Sequence, residues 1–379
     1  MQGKCRSPPP VRRRTRTLRL TGGAADRAKI EEAAAVLRNG GLVAFPTETV
    51  YGLGANALSE EAVRGIFSVK GRPSDNPLIV HLASAGDLPR VARNLPPAGT
   101  KLAERFWPGP LTLILPKRPA VPFVTTAGLD TVAVRVPSHP VAHRLISRAG
   151  VPIAAPSANL SGRPSLTSPS HLVRELSGRV DVILLGGDSP IGLESTVVDV
   201  AARPPRVLRP GGLTLERIRQ VIPSVRAPPL GASSPEGDGH PARSPGLRHR
   251  HYAPRARLTL FVGPIPHVWA ALERRRRELA RAGVSSALLV SSESPVRGRG
   301  VWVLGSRRRP SAVARRLFSA LRDADAQGVQ EMLVEGLPMR GLGFAVRERL
   351  LRAAEGRVVL VPSPRKSPTA VRKGRGPRA

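Results

Sequence analysis

Apolar residues fall in short bursts along the chain, and the spacing inside each burst separates helices from strands. Ile30, Ala34 and Leu37 share one face of a helical period over 25–38, and Asn39-Gly40-Gly41 supplies the stop. Leu42-Val43-Ala44-Phe45 is instead an unbroken run of strand length, closed by Pro46. Ser59 followed by Glu60 and Glu61 opens a helix over 59–69, the hydroxyl as cap and the carboxylates against the positive end of the helix dipole. The same reading predicts strands at 78–82, 111–115, 132–136, 151–154, 180–185 and 195–200, with helices at 98–106 and 140–149. Strands alternating with helices in this way indicate an α/β domain over 18–222.

The pattern lapses over 223–256, where Pro, Gly and Ser dominate, and this stretch reads as a linker too long for an ordinary internal loop. It then resumes. Strands are predicted at 258–262, 287–290, 301–304 and 332–334, and helices at 268–281, 311–326 and 343–354, as in a small doubly wound (Rossmann-like) domain over 257–361. The flanks, 1–17 and 362–379, read as disordered basic tails.

Composition changes this picture in a few places. The chain of 379 residues carries 60 basic and 27 acidic side chains, a net charge of +33, and residues 1–20 hold seven basic groups and no acid. Such a surface draws polyanions: nucleotides, tRNA or anionic lipid. Drift toward Arg, Ala, Gly and Pro, as in GC-rich coding sequence, gives the same bias. The single cysteine, Cys5, excludes a disulfide framework and a Cys-ligated zinc. No apolar run reaches the ~18 residues of a membrane span, so a soluble, cytoplasmic protein without a membrane partner is expected. An Arg-rich start also suits an organelle transit signal, although such signals are amphipathic and Ser-rich. Twelve aromatic residues are few for a base-stacking platform.

Five clusters carry candidate chemistry. Pro46-Thr47-Glu48-Thr49-Val50-Tyr51-Gly52-Leu53-Gly54 reads as a strand running into a turn rich in hydroxyls and glycines. Gly52 to Ala57 also fits the loose G-x-G-x-x-A dinucleotide pattern, a weak match by itself. Lys70-Gly71-Arg72-Pro73-Ser74-Asp75-Asn76-Pro77-Leu78, with His81 beyond it, puts two cations where they can clamp a polyphosphate. Only seven lysines stand against 53 arginines, which makes Lys70 noticeable. The others are Ala155-Pro156-Ser157-Ala158-Asn159-Leu160-Ser161-Gly162, Glu194-Ser195-Thr196-Val197-Val198-Asp199 and Val207-Leu208-Arg209-Pro210-Gly211-Gly212. Each alone is also a plausible turn or cap. His139 and His143 have a metal-binding spacing, but Pro140 intervenes and capping is the better reading. There is no Walker A loop and no G-x-S-x-G elbow.

Together and in this order, the five clusters resemble the YrdC/Sua5 family, the L-threonylcarbamoyladenylate synthases. Ser244-Pro245-Gly246, followed by His251-Tyr252-Ala253-Pro254, is similar to the linker signature of the two-domain Sua5 form. The resemblance implies a YrdC-like open twisted mixed sheet, a long linker that acts as a lid, and a small C-terminal Sua5 domain. It implies the reaction of L-threonine, bicarbonate (or CO2) and ATP to threonylcarbamoyl-AMP and pyrophosphate, with Mg2+ arriving with ATP. A downstream tRNA threonylcarbamoyl transferase would then modify position 37 of tRNAs, giving t6A. By likeness, Thr49, His81, Arg135, Ala155 and Ser195 hold threonine. Arg72, Asn76, Thr131, Ser157, Ser165, Arg209 and Tyr252 hold the nucleotide, and Lys70 and Arg72 serve catalysis. No metal-ligating residue is expected. The chemistry needs positioned charge rather than a protein nucleophile. Two other readings stand beside it. One is a non-catalytic module that binds double-stranded RNA or tRNA. The other is a carbamoyltransferase, whose longer chains carry zinc-binding cysteines or a kinase-like domain that this chain lacks.

Overall fold

The computed structural model describes residues 13–228, 244 and 251–363. The outer parts of both tails, most of the linker and its signature positions 245–250 lie outside the described residues.

Ten strands form the first sheet: β1 (Arg16–Arg19), β2 (Val43–Phe45), β3 (Gly52–Asn56), β4 (Ile79–His81), β5 (Leu111–Pro116), β6 (Thr131–Arg135), β7 (Ile153–Ala154), β8 (Val182–Leu185), β9 (Thr196–Asp199) and β10 (Arg206–Arg209). Their order is β1-β8-β2-β3-β7-β4-β6-β5-β9-β10. Parallel pairs such as β4 with β6 mix with antiparallel ones such as β5 with β6. The helices are α1 (Asp26–Arg38), α2 (Glu60–Lys70), α3 (Pro97–Phe106), α4 (Phe123–Thr126), α5 (Pro140–Ala149), α6 (Pro169–Leu176) and α7 (Leu215–Val221).

Strand alternation fixes which helices cover which face. Val43 and Phe45 pack with Ile30, Leu37, Leu145 and Ile146 of α1 and α5. Ala44, between them, faces the larger core built with Val63 and Ile66 of α2 and Leu102 of α3. Each such Leu or Ile, fully buried, contributes about 1.5–3 kcal/mol. The caps are those the sequence proposes. Ser59 Oγ accepts from the Ala62 N–H, and His139 Nδ1 accepts from the Val141 N–H. His139 is therefore a helix cap.

Three boundaries differ from the sequence reading. The fold takes in residues from Arg13, because β1 pairs in parallel with β8 and the Arg13 N–H donates to Gly178 O at 3.0 Å. Gly52–Asn56 is not a turn but β3, antiparallel to β2. A Cβ on Gly54 would stand 2.8 Å from the Phe45 ring and 2.9 Å from Ile153, so the glycines make room for an aromatic side chain and form no dinucleotide loop. At the far end the domain continues to Arg226, whose carbonyl accepts from Val207 N–H.

The second sheet is β13-β12-β14-β11-β15, built from β11 (Arg257–Val262), β12 (Ser286–Ser291), β13 (Val301–Gly305), β14 (Glu331–Glu335) and β15 (Val358–Leu360). Every pair is parallel. α8 (His267–Arg281) covers one face, while α9 (Pro310–Ala326) and α10 (Leu342–Ala354) cover the other. The architecture is doubly wound, although β14 sits between β12 and β11 and the order differs from that of the dinucleotide-binding folds.

The α9–α10 face meets the first domain. Val50, Leu193 and Tyr252 share its apolar core with Leu258, Phe318 and Val346. Polar contacts surround that core: Arg322 Nη1 to Glu175 Oε2 at 2.6 Å and His171 Nε2 with Asp323 Oδ1 at 2.9 Å. Gly192, at φ +78°, lies so close to α9 that a Cβ there would be 2.4 Å from the Arg315 Cα.

Candidate active site

The site grows from one end of the first sheet. His81 closes β4 and Arg135 closes β6 in direct register, and Thr112 of β5 pairs with Arg135 on its other side. Residues in register share a face, so these three side chains form a row. Ser195, just before β9, extends it through a 2.8 Å hydrogen bond between its Oγ and Thr112 Oγ1. The 46–51 loop folds back over the row. Thr47 Oγ1 donates to Val50 O at 2.6 Å, and the Ile191 and Gly192 N–H groups donate to Glu48 O and Thr49 O. A cleft of about 700 Å³, counting the part open to solvent, lies between this loop, the 155–162 segment and the 251–252 segment.

Four cations line the cleft, and each is already anchored. Arg135, 3% exposed, pairs with Glu48 Oε1 at 2.6 Å and donates to Thr49 Oγ1 at 2.9 Å and Gly109 O at 3.2 Å. Arg72 donates to Asn76 Oδ1 at 2.6 Å and Pro77 O at 2.9 Å. Arg209 donates to Ser195 O at 3.0 Å. Lys70 Nζ donates to the carbonyls of Ser157 and Asn159, which ties the end of α2 to the 155–162 segment.

Burial reshapes the titration of these groups. It pushes the Arg72 pKa down to about 9, with Arg209 adding to the effect. Burial, and then the neighbouring Arg72, push Lys70 well below an ordinary lysine. His81 is lowered to about 3, by burial first and by Arg135 second. It is therefore neutral at pH 7. Ile79 O, 3.2 Å from Nδ1, can only accept, so a hydrogen bond there places a proton on Nδ1.

Of the residues singled out in the sequence, Thr49, Lys70, Arg72, His81, Arg135, Ala155, Ser157, Ser195, Arg209 and Tyr252 all line this cleft. Asn76 adjoins it, bonded to Arg72 and, through Nδ2 at 3.3 Å, to His251 Nε2. Ser165 is fully buried behind the wall and donates to Glu194 Oε1 at 2.5 Å. Thr131 opens β6 at the end away from Arg135, level with Pro77 when the Ile79–Ala133 register is extended. Tyr252, read as part of the linker, is 5% exposed and stacks on Phe318 with centroids 5.6 Å apart.

Two acids were not singled out. Glu48 is buried against Arg135, which outweighs the effect of burial and holds its carboxyl below the usual range. Glu194 lines the cleft, and Arg349 Nε donates to its Oε2 at 2.7 Å. Burial favours the neutral form of Glu194, but Arg349, Arg209 and the Ser165 hydroxyl prevail and lower its pKa. Position in a motif marked both acids, but their partners are far away in the sequence. Among the described residues no group of three or more His, Cys, Asp or Glu side chains could hold a metal ion. Neutral acceptors beside fixed cations suit a ligand pair made of an amino acid and a polyphosphate.

Known proteins resemble this chain over most of its length. Residues 35–211 match the Sua5–YciO–YrdC family model, described as telomere recombination, and residues 213–355 match the model described as threonylcarbamoyl-AMP synthase, C-terminal domain. A threonylcarbamoyl-AMP synthase of Pyrococcus abyssi is 47% identical over 333 residues, 88% of this chain and 96% of its own. One of Bacillus subtilis is 44% identical over 341 residues, 87% of this chain and 94% of its own. The crystal structure of P. abyssi Sua5 complexed with L-threonine superposes with a TM-score of 0.85 at 45% identity, covering 92% of this chain and 99% of that one.

Proposed function

The chain belongs to the Sua5–YciO–YrdC family in its two-domain form, and from that premise we propose that it is an L-threonylcarbamoyladenylate synthase. It joins L-threonine, bicarbonate and ATP into threonylcarbamoyl-AMP, releasing pyrophosphate and water. The observation that supports this most is the meeting, in one cleft, of the His81–Arg135–Thr112–Ser195 row with Arg72, Arg209 and Lys70.

Threonine occupies the row. Its carboxylate faces Arg135, which divides its donors between Glu48, Thr49 and the substrate, with Ala155 and Ser195 alongside. His81, uncharged and buried at the end of β4, lies beside the amine and the hydroxyl of the substrate. That amine attacks CO2, formed from bicarbonate by loss of hydroxide, and gives up a proton to leave a carbamate, the proton and the hydroxide making water. A carbamate oxygen then attacks the α-phosphorus of ATP, the bond to the bridging oxygen breaks, and pyrophosphate leaves. Both partners are anions, and at 4 Å with an effective dielectric of 20 two unit charges repel by about 4 kcal/mol. Arg72, Arg209 and Lys70, with the Mg2+ carried by ATP, offset that repulsion. Asn76, Thr131, Ser157, Ser165 and Tyr252 complete the nucleotide side, Ser165 through Glu194. A nucleotidyltransferase of this kind hands its product to a tRNA threonylcarbamoyl transferase in the cytoplasm. Contact of the basic surface with tRNA belongs to the same proposal.

Labelled bicarbonate incubated with the protein, threonine and MgATP should yield the mixed anhydride, one pyrophosphate for each, and none when threonine is left out. Absence of binding of both ATP and threonine at millimolar concentration would end this reading. An RNA-binding module without catalysis predicts RNA affinity and no pyrophosphate.

A further inference from the structure

The second domain contributes a side chain to the wall of the cleft. Arg349, in the middle of α10, is 1% exposed. Its Nε donates to Glu194 Oε2 at 2.7 Å, its Nη2 donates to Pro210 O at 2.9 Å, and its guanidinium carbon stands 5.0 Å from the Tyr252 ring centroid. Nη1 is taken by Glu348, which Arg352 balances in turn. One planar fork thus joins the segment carrying Ser195, the segment carrying Arg209 and the end of the connecting segment. The approach of the first two is already tight. A Cβ on Gly211 would lie 2.3 Å from Glu194 O, so these segments touch along their backbones and a small shift in one moves the other.

Glu194 makes this more than packing. Glu194 lines the same cleft as Arg72 and Arg209, and Arg209 lies close enough to act on the charge of its carboxylate. Left without Arg349 it would turn to those cations and oppose the phosphates they are there to meet. We infer that Arg349 is a positioning residue for the nucleotide half of the site: it neutralises Glu194 and fixes Arg209 and Tyr252 at their mutual spacing. The second domain is then part of the active site. This rests on the synthase reading only for the identity of the nucleotide. His81, Arg135 and Thr112 of the threonine row are held by strand register within the first sheet, and Ser195 is tied to that row through Thr112.

The test uses the full chain. ATP and threonine affinities are measured by calorimetry, and their KM values by pyrophosphate release, for the parent, Arg349→Met, Arg349→Lys and Arg349→Met with Glu194→Gln. Losing one charge-assisted contact should weaken ATP binding at least about tenfold in Arg349→Met. Threonine affinity should stay within about twofold. Lysine keeps the charge but loses the fork, so Arg349→Lys, the variant to rely on if methionine prevents folding, should fall between parent and Arg349→Met. Adding Glu194→Gln should restore part of the lost ATP affinity. ATP binding at the parent level in either folded Arg349 variant, an equal loss for threonine, or a further loss on adding Glu194→Gln overturns the inference. A parent that binds ATP yet makes no threonylcarbamoyl-AMP would sink the synthase reading while the calorimetric comparison still decides the role of Arg349.

Discussion

His81 is buried at the end of β4, bonded to Ile79 O, with Arg135 beside it in register and Glu48 beyond. Its pKa is about 3 in the folded chain against 6.5 for an ordinary histidine. As the pH falls below that ordinary value the unfolded chain takes up a proton that the folded chain refuses, so stability is lost progressively down to about pH 3. From about pH 6.5 to about pH 4 the loss from this one group is on the order of 3 kcal/mol. Urea midpoints across that range should fall less steeply for His81→Gln than for the parent, and equal slopes would contradict a neutral buried His81. Arg72 yields a kinetic expectation. Arg72→Ala should cut ATP-dependent pyrophosphate release at least about tenfold, and parental turnover would remove Arg72 from the site. At this scale the sequence showed the residues but not their bonds. Lys70 stood out by rarity, yet its ties to Ser157 and Asn159 are visible only in the fold. Glu48 and Glu194 lay inside the quoted motifs and drew no attention, because an acid beside a hydroxyl-rich turn looks like solvated surface until its arginine is found.

Periodicity works for elements whose side chains carry the signal. The helices α1, α2, α5, α8 and α9 have apolar faces, α2 and α5 have side-chain caps as well, and all five lie within one or two residues of expectation. β3 shows none of this, because its residues are small and Gly54 answers to the Phe45 ring and Ile153 against it and not to strand propensity. β1 escaped for another reason: its Arg and Thr side chains are polar, and what holds it is backbone pairing with β8. Gly54→Ala should therefore overpack the β2–β3 hairpin and cost about 1–3 kcal/mol. The change would register as a lower denaturation midpoint at unchanged slope, and a neutral outcome would mean that Phe45 and Ile153 yield more readily than their contacts suggest.

The whole molecule is held as one body by a seam whose centre is apolar and whose rim is charged. Gly192 is the place where no side chain fits, since its Cβ would meet α9 backbone at 2.4 and 2.5 Å. Gly192→Val should prise α9 away and split one cooperative thermal transition into two, as calorimetry would show; a single transition at the parental temperature would mean the seam reseals around the valine. No composition or motif argument reaches this seam, because its partners are far apart in sequence. Glu194 and Arg349, for example, are 155 positions apart. That separation has an outcome in time as well as in space. At about 5–20 residues per second on the ribosome, a nascent chain carries its glutamate for roughly 8–30 seconds before the arginine exists. The growing polypeptide therefore carries an unfinished pocket over that interval, and the pocket becomes electrically complete only after most of the second domain has been made.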